Sequence, residues 1–305
     1  MSYRTVFRND LFAGRTALVT GGGSGIGRCI AHEMAALGAE VTVAGRTRAK
    51  LEAVVDEIAS DGGQAHAAEV DIRDQASVEA LFVGVMERHE RLDLLVNNGG
   101  GQFAAPAVAI SERGWRAVIE TNLSGTFAMC KEAFTSSMAE HGGAIVNIVA
   151  DMFRGMPMMA HSGAARAGVV NLTQTLALEW AQTGTRINAV APGVIASSGL
   201  SNYPDGVREA IKELPKQLPA GRLGTESEVA AAAVFLLSPA ARYVNGVTLR
   251  VDGASSLYRH SFDLAPDRMT PAYDGFHRKP SLPSDLEGLT GSDPDESGLD
   301  RESGD

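Results

Sequence analysis

Thr20-Gly21-Gly22-Gly23-Ser24-Gly25-Ile26-Gly27 follows directly on the apolar run Thr16–Thr20 and opens onto a helical stretch over 30–37. Glycines let a backbone come close to a pyrophosphate, and the start of a helix offers unpaired N–H groups and the positive end of its dipole. A glycine run alone is equally well a tight turn beside a close helix–strand contact. With a strand before it and a helix after it, Gly21, Ser24, Gly25, Ile26 and Gly27 read as a dinucleotide cradle.

Working outward, short β-rich apolar runs recur at 16–20, 40–44, 66–70, 92–97, 144–149, 186–191 and 247–251. Helical stretches fill the gaps, the longest over 111–139 and 162–182. Strands that are apolar on both sides and alternate with helices give a parallel sheet covered on both faces. The expected fold is α/β, a Rossmann-type doubly wound parallel sheet of seven strands with helices on both faces, in a single domain over 1–260. Between 192 and 220 the pattern breaks into Ser, Gly and Pro around a short amphipathic stretch. Such an insert follows the carboxyl end of a strand, where open α/β sheets bind ligands, so 194–220 is the expected substrate lid. From 261 to 305 the chain is polar and without periodicity, and 262–305 holds eleven Asp/Glu against four Lys/Arg. That composition reads as an acidic tail, disordered or draped on the surface and without catalytic residues.

Composition sets the outer limits. The 305 residues, 44% hydrophobic and 21% charged, suffice for a full core. A formal net charge of −10 speaks against nucleic acid, whose phosphates need a basic surface. The two cysteines, Cys29 and Cys130, form neither a disulfide framework nor a zinc spacing, so no metal is expected. Nowhere do ~18 apolar residues follow one another, which argues against a membrane span and leaves a cytoplasmic setting as the expectation. At the end of the second strand stands Ala44-Gly45-Arg46, where an NAD-preferring site usually places an acidic residue on the ribose. A guanidinium there can pair with a 2′-phosphate, favouring NADP(H); the other reading of Arg46 is a solvated arginine at a helix start.

Three further segments, Asp71-Ile72, Asn97-Asn98-Gly99-Gly100 and Pro192-Gly193-Val194-Ile195-Ala196-Ser197, follow the third, fourth and sixth strands. In order and spacing they resemble the short-chain dehydrogenase/reductase family over about 11–257. The resemblance implies that Asp71 and Ile72 border the adenine, and that Asn98, Gly99 and Gly100 line the cofactor cleft. Pro192, Gly193 and Ile195 would present backbone to the carboxamide, and Ser197 would approach the phosphates. Closer similarity lies in Asn97-Asn98-Gly99-Gly100-Gly101-Gln102-Phe103, Glu120-Thr121-Asn122-Leu123-Ser124-Gly125-Thr126-Phe127 and His161-Ser162-Gly163-Ala164-Ala165-Arg166-Ala167-Gly168-Val169. These resemble the peroxisomal trans-2-enoyl-CoA reductase branch, which reduces the double bond of an enoyl thioester with NADPH. The chain ends Ser303-Gly304-Asp305, with no Ser-Lys-Leu-like address.

Most members of that family carry Tyr-x-x-x-Lys, a serine before it and an asparagine on the preceding helix. Here Ser162 and Arg166 stand at the tyrosine and lysine positions, Asn122 matches the asparagine, and the serine position falls near Val149 or Ala150. Without a tuned phenol, protonation of a carbinol oxygen is disfavoured. Reduction of a conjugated thioester asks less, because the charge collects as an enolate that hydrogen-bond donors can stabilise. In this reading Ser162 meets the thioester oxygen, Arg166 the nicotinamide ribose, and Asn122 holds a water or simply kinks its helix. His161 either titrates beside the site or satisfies a backbone group. Asp151 either faces the cleft or caps its neighbours, and Tyr203 is a lid phenol that either donates or covers an acyl chain. The resembled branch has a tyrosine where this chain has Val170. Met152, Phe153, Met156, Met158 and Met159 suit an acyl tail or core packing. The alternatives are a 2,4-dienoyl-CoA reductase, a carbonyl reductase using Tyr203, and an NADP(H)-binding protein without turnover. Related proteins with this helix pair form homotetramers, which is the expected assembly.

Overall fold

The run Thr16–Thr20 (β1) is buried along its whole length. A strand hidden on both sides must be central and covered twice, and the rest of the chain supplies that cover. The computed structural model describes residues 3–203, 205–259, 261–265, 270–278 and 282–291. β1 is followed by α1 (Gly25–Ala36), β2 (Glu40–Gly45), α2 (Arg48–Ser60), β3 (Gln64–Glu69), α3 (Gln75–His89) and β4 (Leu94–Asn97). Then come α4 (Glu112–Ile119), α5 (Gly125–Ala133), α6 (Ala139–His141), β5 (Gly143–Ile148), α7 (Ala160–Glu179) and β6 (Thr185–Pro192). The last elements are α8 (Asp205–Lys212), α9 (Leu214–Gln217), α10 (Glu226–Leu237) and β7 (Thr248–Val251). All seven strands pair in parallel in the order β3-β2-β1-β4-β5-β6-β7.

The order reverses between β1 and β4, so the loops after these two strands diverge and open a crevice at their carboxyl ends. One core packs α1, α2 and α10 onto the sheet through residues such as Ile30, Leu51 and Val234. The other packs α3, α5 and α7 onto the opposite face through Phe82, Met129 and Leu176. The seven-stranded doubly wound sheet expected from the sequence is therefore the observed fold.

The helix expected over 111–139 is continuous in direction but not in winding. π-turns over Glu120–Ser124 and Phe134–Met138 separate α4, α5 and α6. The first of them lies at Asn122, where a polar side chain reaches back to a carbonyl of the preceding turn (below).

The tail departs from a disordered reading over residues 270–278 and 282–291. Phe276, 6% exposed, packs its ring on Tyr3 (5.6 Å between centroids) and His32 (4.9 Å), with the Arg28 guanidinium over its face. Arg278 holds Asp61 through two nitrogens at 2.8 and 3.0 Å, and the Thr225 hydroxyl donates to the carbonyl of Tyr273. Further on, Leu286 is fully buried among lid residues. Of the two readings of the tail, these stretches follow the draped one, because a few apolar residues each find a socket on the body. Residues 292–305 lie outside the described residues.

Beneath this segment, Glu33 of α1 is buried and accepts hydrogen bonds from the Thr5 and Tyr3 hydroxyls at 3.0 and 3.3 Å. Burial pushes its carboxyl up to about 7. An unfolded glutamate titrates near ~4.3, so the folded chain holds an extra proton between about 4.3 and 7 and loses stability as pH rises through that window. Glu33→Gln removes this contribution. Its stability relative to the native chain should therefore increase between about pH 5 and about pH 7.5 in urea unfolding; a difference independent of pH would show that Glu33 does not hold that proton.

Candidate active site

The glycine run forms the turn between β1 and α1 as expected. A side-chain carbon on Gly27 would lie 2.4 Å from both the Gly21 carbonyl and Asn98 Nδ2, so only glycine allows the helix to start this close to the strand. Ser24 is the N-cap of α1, yet its side chain makes no capping bond and the first turn carries no acidic residue. A helix start left open in this way suits an anion. Asn98 ties the two diverging loops together, donating from Nδ2 to the carbonyls of Thr20 and Gly21. The Thr20 hydroxyl accepts from the backbone N–H groups of Asn98 and Gly99.

The loop after β4 is gripped residue by residue. At Gly100 a side-chain carbon would meet Asn122 Oδ1 at 2.7 Å and Arg166 Nη2 at 2.9 Å. Gly101 exchanges two hydrogen bonds with the Asn122 amide, donating to Oδ1 (3.2 Å) and accepting from Nδ2 (2.7 Å). Asn122 Nδ2 also donates to the Val118 carbonyl, which its π-turn frees from regular pairing. Gln102 Oε1 accepts from the Ser162 hydroxyl at 2.6 Å, and Phe103 meets the His161 ring edge-on with centroids 4.5 Å apart.

Ser162 and Arg166 stand on successive turns of α7. Arg166 Nη1 donates to the Ile148 carbonyl at the end of β5, while its Nε has no hydrogen-bond partner among the described residues and no carboxylate neutralises it. Burial brings its pKa down to about 10, which leaves it a cation at neutral pH. His161 is fully buried and accepts from the Ser162 backbone N–H at Nδ1 (2.8 Å). Burial lowers its pKa, against a smaller opposing contribution from the Met159 backbone. Its Nδ1 is thus engaged with a backbone N–H of α7, while its Nε2 has no hydrogen-bond partner among the described residues.

The hydroxyl of Ser162 does not end at Gln102. Gln102 Nε2 donates to the Tyr203 hydroxyl at 2.9 Å. The direction of this chain is fixed by the amide: the serine gives its hydrogen to Oε1, the amide gives one to the phenol, and the phenol hydrogen remains to donate onward. Gln102 was part of a quoted motif but carried no role in the sequence reading. Its signal was absent because its partners lie 60 and 101 residues away.

Other expected residues are placed as follows. Arg46 is exposed just past β2 and has no ion-pair partner among the described residues. Asp71 binds Arg73 through both oxygens, which holds its carboxyl down to about 2, with Arg46 contributing at longer range. Ile72 packs beside Gly99 and Gly125. Pro192 ends β6, Gly193 donates to the Val251 carbonyl, and Ile195 bridges to Gly224. Ser197 and Ser198 lie against Gly25, the Ser198 hydroxyl being the nearer. Asp151 Oδ2 accepts from the Ser255 hydroxyl, so it is tied to the end of β7. Glu226, unforeseen from the sequence, is buried beside Gly25 with its carboxyl pushed up to about 7 by burial and its Oε1 unpartnered among the described residues.

At the opposite, amino ends of the strands, Arg15 and Arg91 share Asp93 and line, with it, a cavity of about 770 Å³ at the far end of the sheet from Ser162 and Gln102. Glu40 there binds His66 at 2.7 Å and His89 at 3.5 Å.

A family model described as enoyl-(acyl carrier protein) reductase matches residues 21–255, the stretch that contains both the glycine turn and the gripped loop. The chain belongs to the short-chain dehydrogenase/reductase family. This short-chain dehydrogenase/reductase is 38% identical over 252 residues to the assigned 2,4-dienoyl-CoA reductase of Bacillus subtilis (strain 168), covering 81% of this chain and 99% of the relative. It is 49% identical to the solved citronellol catabolism dehydrogenase of Pseudomonas aeruginosa PAO1, with a TM-score of 0.75 over 83% of this chain and 100% of the other. A proposed NAD(P)-dependent gluconate 5-dehydrogenase from Beutenbergia cavernae, solved with bound NADP, is 38% identical with a TM-score of 0.76 over 82% of this chain and 100% of the other. The protein is thus an oxidoreductase of a family that binds nicotinamide cofactors. No helix among the described residues is long and apolar enough to cross a membrane.

The Asn122 amide should matter for stability in this short-chain dehydrogenase/reductase as well as for the site. Asn122→Ala strands the N–H and carbonyl of Gly101 and the carbonyl of Val118, and should cost about 1–3 kcal/mol in urea unfolding; a cost under about 0.5 kcal/mol would mean that water replaces the amide without loss.

Proposed function

We propose that this chain uses NADPH to reduce the conjugated carbon–carbon double bond of an acyl thioester. The observation that carries the reading is the Ser162–Gln102–Tyr203 relay beside an unneutralised Arg166. The nicotinamide, when bound, supplies a hydride to a carbon conjugated with the thioester carbonyl, and the balanced reaction takes one further proton onto carbon. The residues present fit that cofactor. The uncapped start of α1 and the Ser24 hydroxyl would take the pyrophosphate, and Arg166 would take the ribose of the reacting end. Exposed Arg46, free of an acidic partner, would take a 2′-phosphate.

On the substrate side, charge gathers on the thioester oxygen as the double bond is reduced. Ser162 spends its hydrogen on Gln102, so the donor left to that oxygen is the Tyr203 phenol, with Ser162 acting through the amide to orient it. This amends the expectation that Ser162 itself meets the oxygen. An enolate needs a hydrogen-bond donor rather than an immediate proton, so a phenol without a neighbouring ammonium suffices. Arg166 keeps the surrounding potential positive while charge develops. The similarity to 2,4-dienoyl-CoA reductases supports conjugated thioesters as the class. A cytoplasmic homotetramer is part of the proposal: Trp115, Phe127 and Leu178 expose apolar surface on α4, α5 and α7.

A second reading has a specific support. The 49% identity to a citronellol catabolism dehydrogenase, together with a phenol in the site, favours oxidation of a branched alcohol or reduction of its carbonyl.

Turnover assays following NADPH absorbance separate the readings. Crotonyl- to decenoyl-CoA and a dienoyl-CoA should be reduced, and citronellol and a panel of ketones should not react. Ketone or alcohol turnover without thioester turnover would establish the second reading, and tight NADPH binding without turnover on any substrate would leave a binding protein. Tyr203→Phe should lower kcat by about 100-fold or more with little change in KM, and Ser162→Ala should lower it by less; full activity in Tyr203→Phe would remove the phenol from the mechanism.

The cofactor assignment has its own test. Arg46→Ala should weaken NADPH by about tenfold or more and leave NADH unchanged. An unaltered preference would disprove the 2′-phosphate contact.

A further inference from the structure

Residues 282–291 lie outside the stretch 21–255 that matches the family, yet they are built into the lid. Leu286 is fully buried against Leu200, Ile211 and Leu223, and Leu282 and Leu289 flank it in a cluster that also contains Tyr203, Val207, Leu214 and Leu218. This cluster is separate from the two cores on the faces of the sheet. Two polar contacts pin the segment further. The Leu223 N–H donates to the Leu289 carbonyl at 2.9 Å, and Lys212 Nζ of α8 meets Asp285 at 3.0 Å.

The lid cannot hold its own shape. Its elements are a 3-10 turn over Ser198–Asn202, the eight-residue α8 and the four-residue α9, all far below the length at which a helix is stable in water. What fixes them is burial of their apolar faces, and Leu286 sits in the middle of that burial. Tyr203, which ends the 3-10 turn, shares the same cluster while its hydroxyl reaches out to Gln102. The ring therefore packs on the cluster that Leu286 completes, while its hydroxyl is held by the amide.

We propose that residues 282–291 are a strap that positions Tyr203 on Gln102, making Leu286 a positioning residue of the active site. The inference rests on the role given to Tyr203 above. It adds that the catalytic lid of this chain is completed by a segment outside the family core. Leu286 touches neither the reacting atoms nor the cofactor site; it acts by keeping the phenol at hydrogen-bonding distance.

The test uses full-length Leu286→Asp, with Leu286→Ala as a milder variant should the first fail to fold. Three measurements are compared with the native chain: hydrogen exchange over 198–218, the NMR signal of the Tyr203 ring in tyrosine-labelled protein, and kcat/KM with crotonyl-CoA. Exchange over 198–218 should rise by about tenfold or more while 16–97 is unchanged, and the Tyr203 signal should move as it does in Gln102→Leu. kcat/KM should fall by about ten- to a hundredfold at unchanged NADPH affinity, and adding Leu286→Asp to Tyr203→Phe should cost little more than Tyr203→Phe alone, since the donor that the strap positions is already gone. Unchanged exchange, an unmoved Tyr203 signal, or losses that multiply in the double variant would each overturn the strap. If the native chain does not reduce the thioester at all, the proposed reaction fails, while the exchange and NMR measurements still decide the strap.

Discussion

The site depends on the grip that one helix pair keeps on the loop Gly100-Gly101-Gln102. That loop leaves the sheet at β4, next to the point where the strand order reverses, and its backbone has few partners of its own. Asn122 supplies them at Gly101, Ser162 holds the side chain of Gln102, Arg166 lies close against Gly100, and Asn98 holds the loop base to the glycine turn. The lack of a side chain at Gly100 is what lets the guanidinium and the carboxamide come so close.

A consequence is that the polar groups of the site differ in how well they are satisfied. Asn122 and Ser162 spend their hydrogens inside the protein, whereas Arg166 has one bond to a carbonyl and no counter-ion. A half-satisfied cation in a crevice raises the local potential and is stable because it keeps partial access to water. Its depressed but still high pKa means that it holds its proton throughout the reaction cycle. The relay, by contrast, leaves the hydrogen of the Tyr203 hydroxyl free to donate onward.

The two ends of the chain reinforce this arrangement from outside. The N-terminal arm and the segment 270–278 close over α1 and α10 through Tyr3, Phe276 and Arg278, and the segment 282–291 closes over the lid. Neither adds a strand or a long helix. Each works by placing single apolar side chains into existing grooves, with a hydrogen bond or ion pair to set the register. Short-range order of this kind stabilises loops that regular secondary structure cannot reach.

Sequence alone determined what is local or periodic. The glycine turn, the seven strands, the two long helices of the site and the Arg46 position follow from spacing and residue type within windows of a few turns, and the same windows set Ser162 and Arg166 on one face of α7. They left the tail open between disordered and draped, because the sockets of Phe276, Leu282, Leu286 and Leu289 are built by residues distant in the chain. Only the tertiary structure decided where the Ser162 hydrogen goes. Its acceptor on the loop after β4 and the phenol in the lid after β6 meet the serine that follows β5, and nothing in the spacing of Gln102, Ser162 and Tyr203 encodes that meeting. Hydrogen-bond direction is set by contact, and contact between distant residues is a property of the folded chain.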